Sequence, residues 1–197
     1  MPDVPPSDLI LASTSPYRRE LLRRLGVPFR CLAPGVDEEM YKASASGPRA
    51  LAVELARAKA TALARDHPAA TLIGSDQVVA FRGRVLGKPG TIERAIEQLA
   101  AMAGQSHVLI TALAVCHRGE VVAHADVATL HMRSLSREEI TRVVEADRPI
   151  DCAGGYKLEA RGITLFERIE ADDQTAIVGL PLMALTTILR EFGYRIP

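Results

Sequence analysis

The order of its segments predicts that this chain forms one α/β or α+β domain with a mixed sheet. Strand-like and helix-like segments alternate, and two long runs of alternating polarity then follow one another through an Arg118-Gly119 turn. The 197 residues contain 48% hydrophobic residues and show neither an internal repeat nor a low-complexity linker. A chain of this length and composition can bury a substantial core.

The first third of the chain predicts a strand, a helix and a second extended segment. Leu9, Ile10 and Leu11 form an apolar run too short for a helix, and they predict a buried strand. Ser15 is a good N-cap and Pro16 a good first helical residue, so a helix is expected from there to about Leu25. An extended segment over residues 27–33 and an acidic loop over 35–42 (GVDEEMYK) are expected next.

The remaining elements are predicted from apolar spacing, glycines and capping residues. Leu51, Leu55, Ala58 and Ala62 have helical spacing after Pro48, and Ser136 with Glu139 is a capping box. The predicted order is a helix from about 48, a strand over 71–81 broken at 74–76, a turn at 82–84 with a short return strand, a helix over 91–103, a hairpin over 106–132, a helix from 136, a glycine-interrupted and then mostly extended stretch over 151–170, and a helix over 181–192.

Composition excludes several classes of protein. The formal net charge is zero, which does not favour a general nucleic-acid-binding surface. No apolar run approaches the length of a membrane span, and the first residues lack the basic and apolar regions of a signal peptide. The three cysteines are far apart and the five histidines have no metal-ligand spacing, so a reducing, cytoplasmic environment is expected.

The turn between the first strand and the first helix is a candidate phosphate site. Serine and threonine hydroxyls lie there beside the free N–H groups of a helix start, and Arg18 and Arg19 follow in the first turn. Cations are disfavoured at this end of a helix by roughly 0.3–1 kcal/mol each, which suggests that an anion compensates for them. An ordinary turn with a solvated arginine is the alternative.

Charged residues also occur where a fold alone would not select them. Asp76 lies inside an apolar strand, and Lys88 would lie opposite Asp76 or Gln77 if the chain turns back at Arg82. Lys59 lies beside the apolar stripe of its helix. The alternatives are a bulge capped by Asp76, a plain cross-strand ion pair, and a lysine that extends past the core into water.

The acidic pair Asp37-Glu38 completes this set. Alone, the pair would be a solvated loop, but beside Asp76 it would supply oxygen ligands for Mg²⁺. Basic side chains, carboxylates and a hydroxyl-rich turn together favour metal-assisted hydrolysis of a phosphoanhydride.

Eight blocks of sequence, in one order, make the chain resemble the Maf family of nucleoside triphosphate pyrophosphatases over about residues 9–193. The blocks are STSPYRRELL, GVDEE, ELARAKA, GSDQVV, GKPG, DCAGGYKLE, GITLFERIE and VGLPL. The resemblance implies an inosine-triphosphatase-like fold, with a twisted mixed sheet flanked by helices and an active-site cleft between two lobes. It makes residues 9–197 one domain, with 1–8 expected to be a disordered tail.

The resemblance also implies a reaction and its residues. Such enzymes cleave a nucleotide between the α- and β-phosphates with Mg²⁺ or Mn²⁺, releasing the monophosphate and pyrophosphate. By position, Asp76 matches the proton acceptor, Glu38 and Asp76 the metal-side carboxylates, and Ser13 the hydroxyl of the phosphate turn, with Arg19 beside it. Arg18, Lys59 and Lys88 match the basic residues that bind the triphosphate.

Three positions predict the base. Tyr17, Gln77 and Glu159 resemble the subgroup that acts on 7-methyl-GTP, whereas pyrimidine-preferring members typically carry Arg, Thr and Gln there. A methylated, cationic guanine stacks well on an aromatic ring, and one carboxylate accepts hydrogen bonds from both N1–H and the exocyclic amine. The subgroup usually has Trp at the position of Tyr17, and Gly155 and Ala160 replace a more usual Ser and Gly.

Two alternatives stay open at this level. One is a UTP/dTTP or broader modified-nucleotide pyrophosphatase. The other is a non-enzymatic regulator of septum formation that binds nucleic acid or protein. The predicted partners are a nucleotide substrate and a second copy of the chain in a homodimer, with no nucleic acid and no membrane.

Overall fold

The computed structural model describes residues 8–197, which form two compact units. Unit 1 comprises residues 8–77, 111–126 and 173–197, and unit 2 comprises 78–110 and 127–172. The strands are β1 (Leu9–Ala12), β2 (Arg30–Leu32), β3 (Thr71–Phe81), β4 (Arg84–Leu86), β5 (Ser106–His117), β6 (Glu120–Met132) and β7 (Phe166–Glu170). The helices are α1 (Pro16–Arg23), α2 (Glu39–Ser44), α3 (Pro48–Thr61), α4 (Ile92–Met102), α5 (Arg137–Asp147), α6 (Gln174–Val178) and α7 (Leu182–Glu191).

These strands belong to a mixed sheet in the order β2-β1-β3-β5-β6-β7, with β4 also paired to β3. β1 runs parallel to both β2 and β3, whereas β3–β4 and β6–β7 are antiparallel. β3, β5 and β6 each run from one unit into the other. The mixed α/β architecture predicted from the sequence is therefore confirmed.

The core of unit 1 is apolar and built around β1, α1 and α7. Its buried side chains include Leu9, Leu11, Leu22, Ile73 and Leu189. The Ser15 side chain accepts a hydrogen bond from the Arg18 backbone N–H, so it caps α1 as expected. This cap lies at the start of α1, in the short turn that follows β1, where the phosphate turn was predicted.

Unit 2 has its own packing around α4 and α5. Thr91 caps α4, and Ser136 with Glu139 forms the predicted capping box at the start of α5. His107 is buried and bonds to the Tyr156 hydroxyl over 2.9 Å, and its burial lowers the pKa of the imidazole to about 4. His107 is therefore a neutral core residue.

Several local predictions were wrong. The acidic loop contains α2, which begins after the Asp37 side chain accepts from the Glu39 N–H. β3 continues through 74–76 because α3 packs on Gly74 and the polar side chains after it find buried partners. Residues 153–155 and 161–165 are short 3₁₀ turns, so the extended part of 151–170 is confined to β7.

Differences also occur at the ends of the chain. α1 ends at Arg23 rather than near Leu25, and α6 was not predicted. Most of the expected disordered tail, residues 1–7, lies outside the described residues; the Asp8 carboxylate binds the Arg30 guanidinium. Among the helices of residues 8–197, none combines the length and apolar character that a membrane span requires.

Candidate active site

A buried ion pair between α3 and β3 lies at the centre of the candidate site. Lys59 Nζ lies 2.6 Å from Asp76 Oδ1, and the two residues are only 8% and 7% exposed. The helix can approach the strand this closely because Gly74 has no side chain: a Cβ there would collide with the backbone of Ala56 and Ala60. The buried pair is thus a product of helix–strand packing.

Glu38 adds a second carboxylate to the same ammonium group. Its Oε1 lies 2.6 Å from Lys59 Nζ, and its side chain is 42% exposed. The Glu38 and Asp76 oxygens are therefore no farther apart than the sum of these two distances. One cation with two carboxylates leaves a net negative charge, which the nearby Arg18 offsets electrostatically.

The electrostatics of Asp76 suit a proton acceptor. Burial raises the pKa of its carboxyl group above the ordinary aspartate value, although Lys59 and Arg18 pull it down; the Glu38 charge raises it further. A carboxylate with a raised pKa binds a proton more readily at neutral pH. That property is what a general base for an attacking water needs.

Arg18 projects from the first turn of α1 and is partly buried. Its Nε donates to the Gly179 carbonyl over 2.9 Å. Burial lowers the pKa of the guanidinium, while Asp76 and Glu38 raise it, and an arginine still keeps its charge. Across residues 8–197 the structure shows no hydrogen bond or ion pair to its two terminal nitrogens, which can therefore bind an anion.

The hydroxyl turn before α1 is held by internal hydrogen bonds. Ser13 is buried, and its Oγ accepts from the Ser15 N–H over 3.1 Å. Ser15 in turn accepts from the Arg18 N–H over 3.4 Å. The two serines thus stabilise the turn before α1 and the first turn of the helix, which carries Arg18. The phosphate-binding role of this turn stays a prediction.

Tyr17 and Gln77, two of the residues predicted to read the base, have different surroundings. Tyr17 lies in the first turn of α1 and is 40% exposed. Gln77 follows Asp76, and its Nε2 donates to Thr111 Oγ1 (3.0 Å) and to the carbonyls of Ala176 (3.2 Å) and Ile177 (3.0 Å). The amide nitrogen of Gln77 is thus engaged by the protein itself.

The structure does not bring Arg19 to the Lys59–Asp76 pair. Arg19 lines a separate concavity of about 590 Å³ with Arg23, Phe29 and Cys31. Lys88 and Glu159 belong to unit 2, and both are exposed. The β3–β4 ladder ends at the Val79–Leu86 pair, before Lys88 is reached. The roles expected for these three residues stay predictions.

Sequence reasoning missed three residues that support the site. Ser75 and Thr111 are buried hydroxyls, and Gly179 supplies the carbonyl that Arg18 binds. The GSDQVV and VGLPL blocks contain Ser75 and Gly179, but neither block indicates that the two meet. A serine inside an apolar strand was the available signal, since such hydroxyls need a buried partner.

The sequence is similar to known proteins over nearly its whole length. The family model described as Maf-like protein matches residues 8–192. A 7-methyl-GTP pyrophosphatase of Bdellovibrio bacteriovorus is 50% identical over 189 residues, covering 95% of this chain and 98% of that protein. A protein of the same name from Pseudomonas aeruginosa is 46% identical over 192 residues, covering 96% and 99%.

A third relative agrees with these two. A 7-methyl-GTP pyrophosphatase of Aromatoleum aromaticum is 47% identical over 193 residues, covering 97% of this chain and 98% of that protein. Among solved structures, a HAM1 protein from Coxiella burnetii covers 94% of this chain and is itself covered to 99%, with a TM-score of 0.46 and 16% identity. That structural likeness is too distant to bear on function.

Proposed function

The chain belongs to the family of Maf-like proteins, and on that premise we propose that it is a nucleoside triphosphate pyrophosphatase that prefers 7-methyl-GTP. It hydrolyses the bond between the α- and β-phosphates, and the products are 7-methyl-GMP and pyrophosphate. The observation that carries the proposal is the buried Lys59–Asp76 pair, with Glu38 on the same ammonium group and Arg18 nearby. Cations for phosphate and a carboxylate for water are the groups that this hydrolysis requires.

Each of these side chains has a defined task in the proposed reaction. The Arg18 terminal nitrogens and Lys59 Nζ bind triphosphate oxygens and stabilise the charge that develops on them. Asp76 accepts a proton from the water whose oxygen forms the new bond to the α-phosphorus. The bond from that phosphorus to the bridging oxygen breaks, and pyrophosphate leaves with the bond's electron pair.

The carboxylates present fit a divalent cation that is completed by substrate. Glu38 and Asp76 both contact Lys59 Nζ, so their carboxylates lie close together. Mg²⁺ is commonly held by one or two carboxylates together with substrate phosphates and water. Within residues 8–197 there is no cluster of three or more His, Cys, Asp or Glu side chains that could hold a metal alone. When bound there with substrate, Mg²⁺ or Mn²⁺ neutralises phosphate charge and polarises the reacting phosphate.

The base preference is supported by the relatives' names and by residue chemistry. The relatives described above carry the name 7-methyl-GTP pyrophosphatase. N7-methylation makes guanine cationic, and the exposed Tyr17 ring supplies an aromatic face for it. The Glu159 carboxylate would accept from the two adjacent donors of guanine, whereas a uracil or thymine edge offers one N–H between two carbonyls.

Pyrophosphate release from a panel of nucleotides tests the proposal. The panel is 7-methyl-GTP, GTP, UTP, dTTP and CTP, each assayed with Mg²⁺ and again with a chelator. We expect Mg²⁺-dependent release, fastest from 7-methyl-GTP. Preference for UTP or dTTP would keep the reaction and overturn the base preference. A well-folded protein that releases no pyrophosphate from any of them would leave the non-enzymatic binding protein as the better hypothesis.

The homodimer and the cytoplasmic location remain proposals that rest on the sequence. Sedimentation at several protein concentrations tests the first, with a species of twice the 21.3 kDa chain mass as the expected result. Fractionation of cells that express the tagged chain tests the second.

A further inference from the structure

Residues 174–179 form a short segment that carries the acceptor for Arg18. The segment consists of α6 and Gly179, which has a φ of +124° that favours glycine. Asp173 is buried and caps the segment: its Oδ1 accepts from the Thr175 N–H over 2.7 Å, and its Oδ2 accepts from the Met183 N–H over 2.9 Å. This end of the 174–179 segment is therefore tied to the start of α7.

β3 contacts the 174–179 segment with every second residue. Ser75 and Gln77 bond to its carbonyls, whereas Gly74 and Asp76 contact α3. This alternation follows from the two-residue period of a strand. The strand that supplies the proposed general base on one face thus holds the 174–179 segment on the other.

One carbonyl oxygen accepts hydrogen bonds from both Ser75 and Arg18. Ser75 Oγ donates to the Gly179 carbonyl over 2.9 Å, and Arg18 Nε donates to the same oxygen over 2.9 Å. Ser75 is fully buried, so its hydroxyl has no access to water. A carbonyl oxygen has two lone pairs, and the Ser75 bond holds it in the position where Arg18 Nε meets it.

A second buried hydroxyl holds the same segment. Thr111 on β5 is 2% exposed, and its Oγ1 donates to the Ala176 carbonyl over 2.8 Å. Thr111 Oγ1 also accepts a hydrogen bond from Gln77 Nε2 over 3.0 Å. Two neighbouring strands thus place hydroxyls under the 174–179 segment, one at α6 and one at Gly179.

The geometry points to Ser75 and Thr111 as positioning residues that orient the Arg18 guanidinium through the 174–179 segment. The inference rests on the proposed function, in which the terminal nitrogens of Arg18 bind a phosphate. In that function, the bond from Nε to the Gly179 carbonyl orients the guanidinium, and the two terminal nitrogens bind the substrate. Neither hydroxyl needs to touch the nucleotide for its loss to reduce catalysis, because a small displacement of a substrate-binding group lowers the rate substantially.

A double-mutant cycle tests the role of Ser75. Ser75→Ala is made in the natural chain and in an Arg18→Lys background, and kcat/KM for 7-methyl-GTP is measured with Mg²⁺. Thr71→Val is the matched control, since Thr71 is also fully buried on β3, but its hydroxyl bonds to His117 Nδ1 over 2.8 Å. Thermal unfolding and circular dichroism of every variant report its folding.

We expect Ser75→Ala to lower kcat/KM by about 10- to 100-fold in the natural chain. In the Arg18→Lys background, where no Nε is left to orient, the same change should matter less than about threefold. Thr71→Val should have the same small effect in both backgrounds. Equal losses from Ser75→Ala in the two backgrounds, or a loss no larger than that of Thr71→Val, would overturn the inference.

Thr111 supplies an independent pair if Ser75→Ala does not fold. Thr111→Val keeps the shape and removes the hydroxyl, so we expect a lower kcat/KM, whereas Thr111→Ser keeps the hydroxyl and should retain activity. Similar activity of these two variants contradicts the inference. An inactive natural chain is a different result, because it removes the proposed function itself.

Discussion

Lys59 and Asp76 are seventeen positions apart in the chain, yet Lys59 Nζ and Asp76 Oδ1 lie 2.6 Å apart in the interior of unit 1. Neither residue is more than 8% exposed. Burying an unpaired charge costs free energy, so each residue offsets part of the desolvation cost of the other. Glu38 also contacts Lys59, and the charge of Arg18 lowers the pKa of Asp76, so these four side chains form the proposed catalytic site.

Asp76→Asn should remove most of the turnover. Asparagine has nearly the same shape but cannot accept a proton from water, and loss of a general base commonly lowers the rate by about 10²–10⁴-fold. Steady-state pyrophosphate release measures the effect. The exposed Asp66 offers a matched control, and Asp66→Asn should leave turnover unchanged. Near-natural turnover in Asp76→Asn would contradict the proposed mechanism.

The raised pKa of Asp76 gives stability a definite pH dependence. Because the folded protein binds this proton more tightly than the unfolded chain does, the contribution of Asp76 to the free energy of unfolding falls as pH rises from the ordinary aspartate pKa through the raised one. Above that range this loss of stability no longer changes with pH. We expect urea unfolding in the presence of a chelator to show that the natural chain loses stability relative to Asp76→Asn as pH rises through this range.

Activity should respond to the same proton with the opposite sign. Asp76 is a base only when ionised, so kcat/KM should fall on the acid side with an apparent pKa above the ordinary aspartate value. A pH–rate profile at subsaturating Mg²⁺ measures it, because a bound cation favours the ionised carboxylate and lowers this pKa. An acid limb at or below the usual aspartate range would show that the ionisation of Asp76 in the metal-free protein does not control the reaction.

Lys59→Met should destabilise the protein more than an ordinary surface change. It leaves the Asp76 carboxylate buried without its partner, and breaking a buried pair in this way costs about 3–5 kcal/mol. Lys59→Met combined with Asp76→Asn should lose less, since no uncompensated charge remains. Lys42→Met breaks an exposed pair with Glu39, and it should cost less than about 1 kcal/mol.

Gly74→Ala should separate α3 from β3. The added Cβ would collide with the Ala56 carbonyl and the Ala60 nitrogen, and overpacking of this kind costs about 1–3 kcal/mol. Turnover should fall too, because α3 carries Lys59. Gly47→Ala is the control, since a Cβ there meets nothing within 4 Å. Equal stability of the two variants would contradict the packing argument.

Glu159→Gln tests base preference apart from chemistry. The amide has one acceptor oxygen in place of two, so it pairs less well with the two donors of guanine. We expect the ratio of kcat/KM for 7-methyl-GTP over UTP to fall by roughly 10-fold or more, with turnover of UTP retained. An unchanged ratio would remove Glu159 from base recognition.

Local signals in the sequence predicted much of the fold. Ser15 and Pro16 at the start of α1, and the Ser136–Glu139 capping box, are decided by nearest neighbours along the chain. Gln174–Val178 was missed because five residues carry little periodic signal, and α6 owes its place to bonds from β3 and β5. The break expected at 74–76 was wrong. A glycine inside a strand often weakens it, but here Gly74 lets α3 pack closely against β3, and the strand is continuous.

The residue types suited to phosphate chemistry and the family resemblance can be recognised along the chain alone, because motifs and caps are local properties. The contacts of Lys59 with both Asp76 and Glu38, and the meeting of Ser75 and Arg18 at the Gly179 carbonyl, are visible only in the folded protein. Those contacts join residues up to 161 positions apart. They depend on how α3 and α6 pack against opposite faces of β3, and no periodicity along the chain encodes that packing.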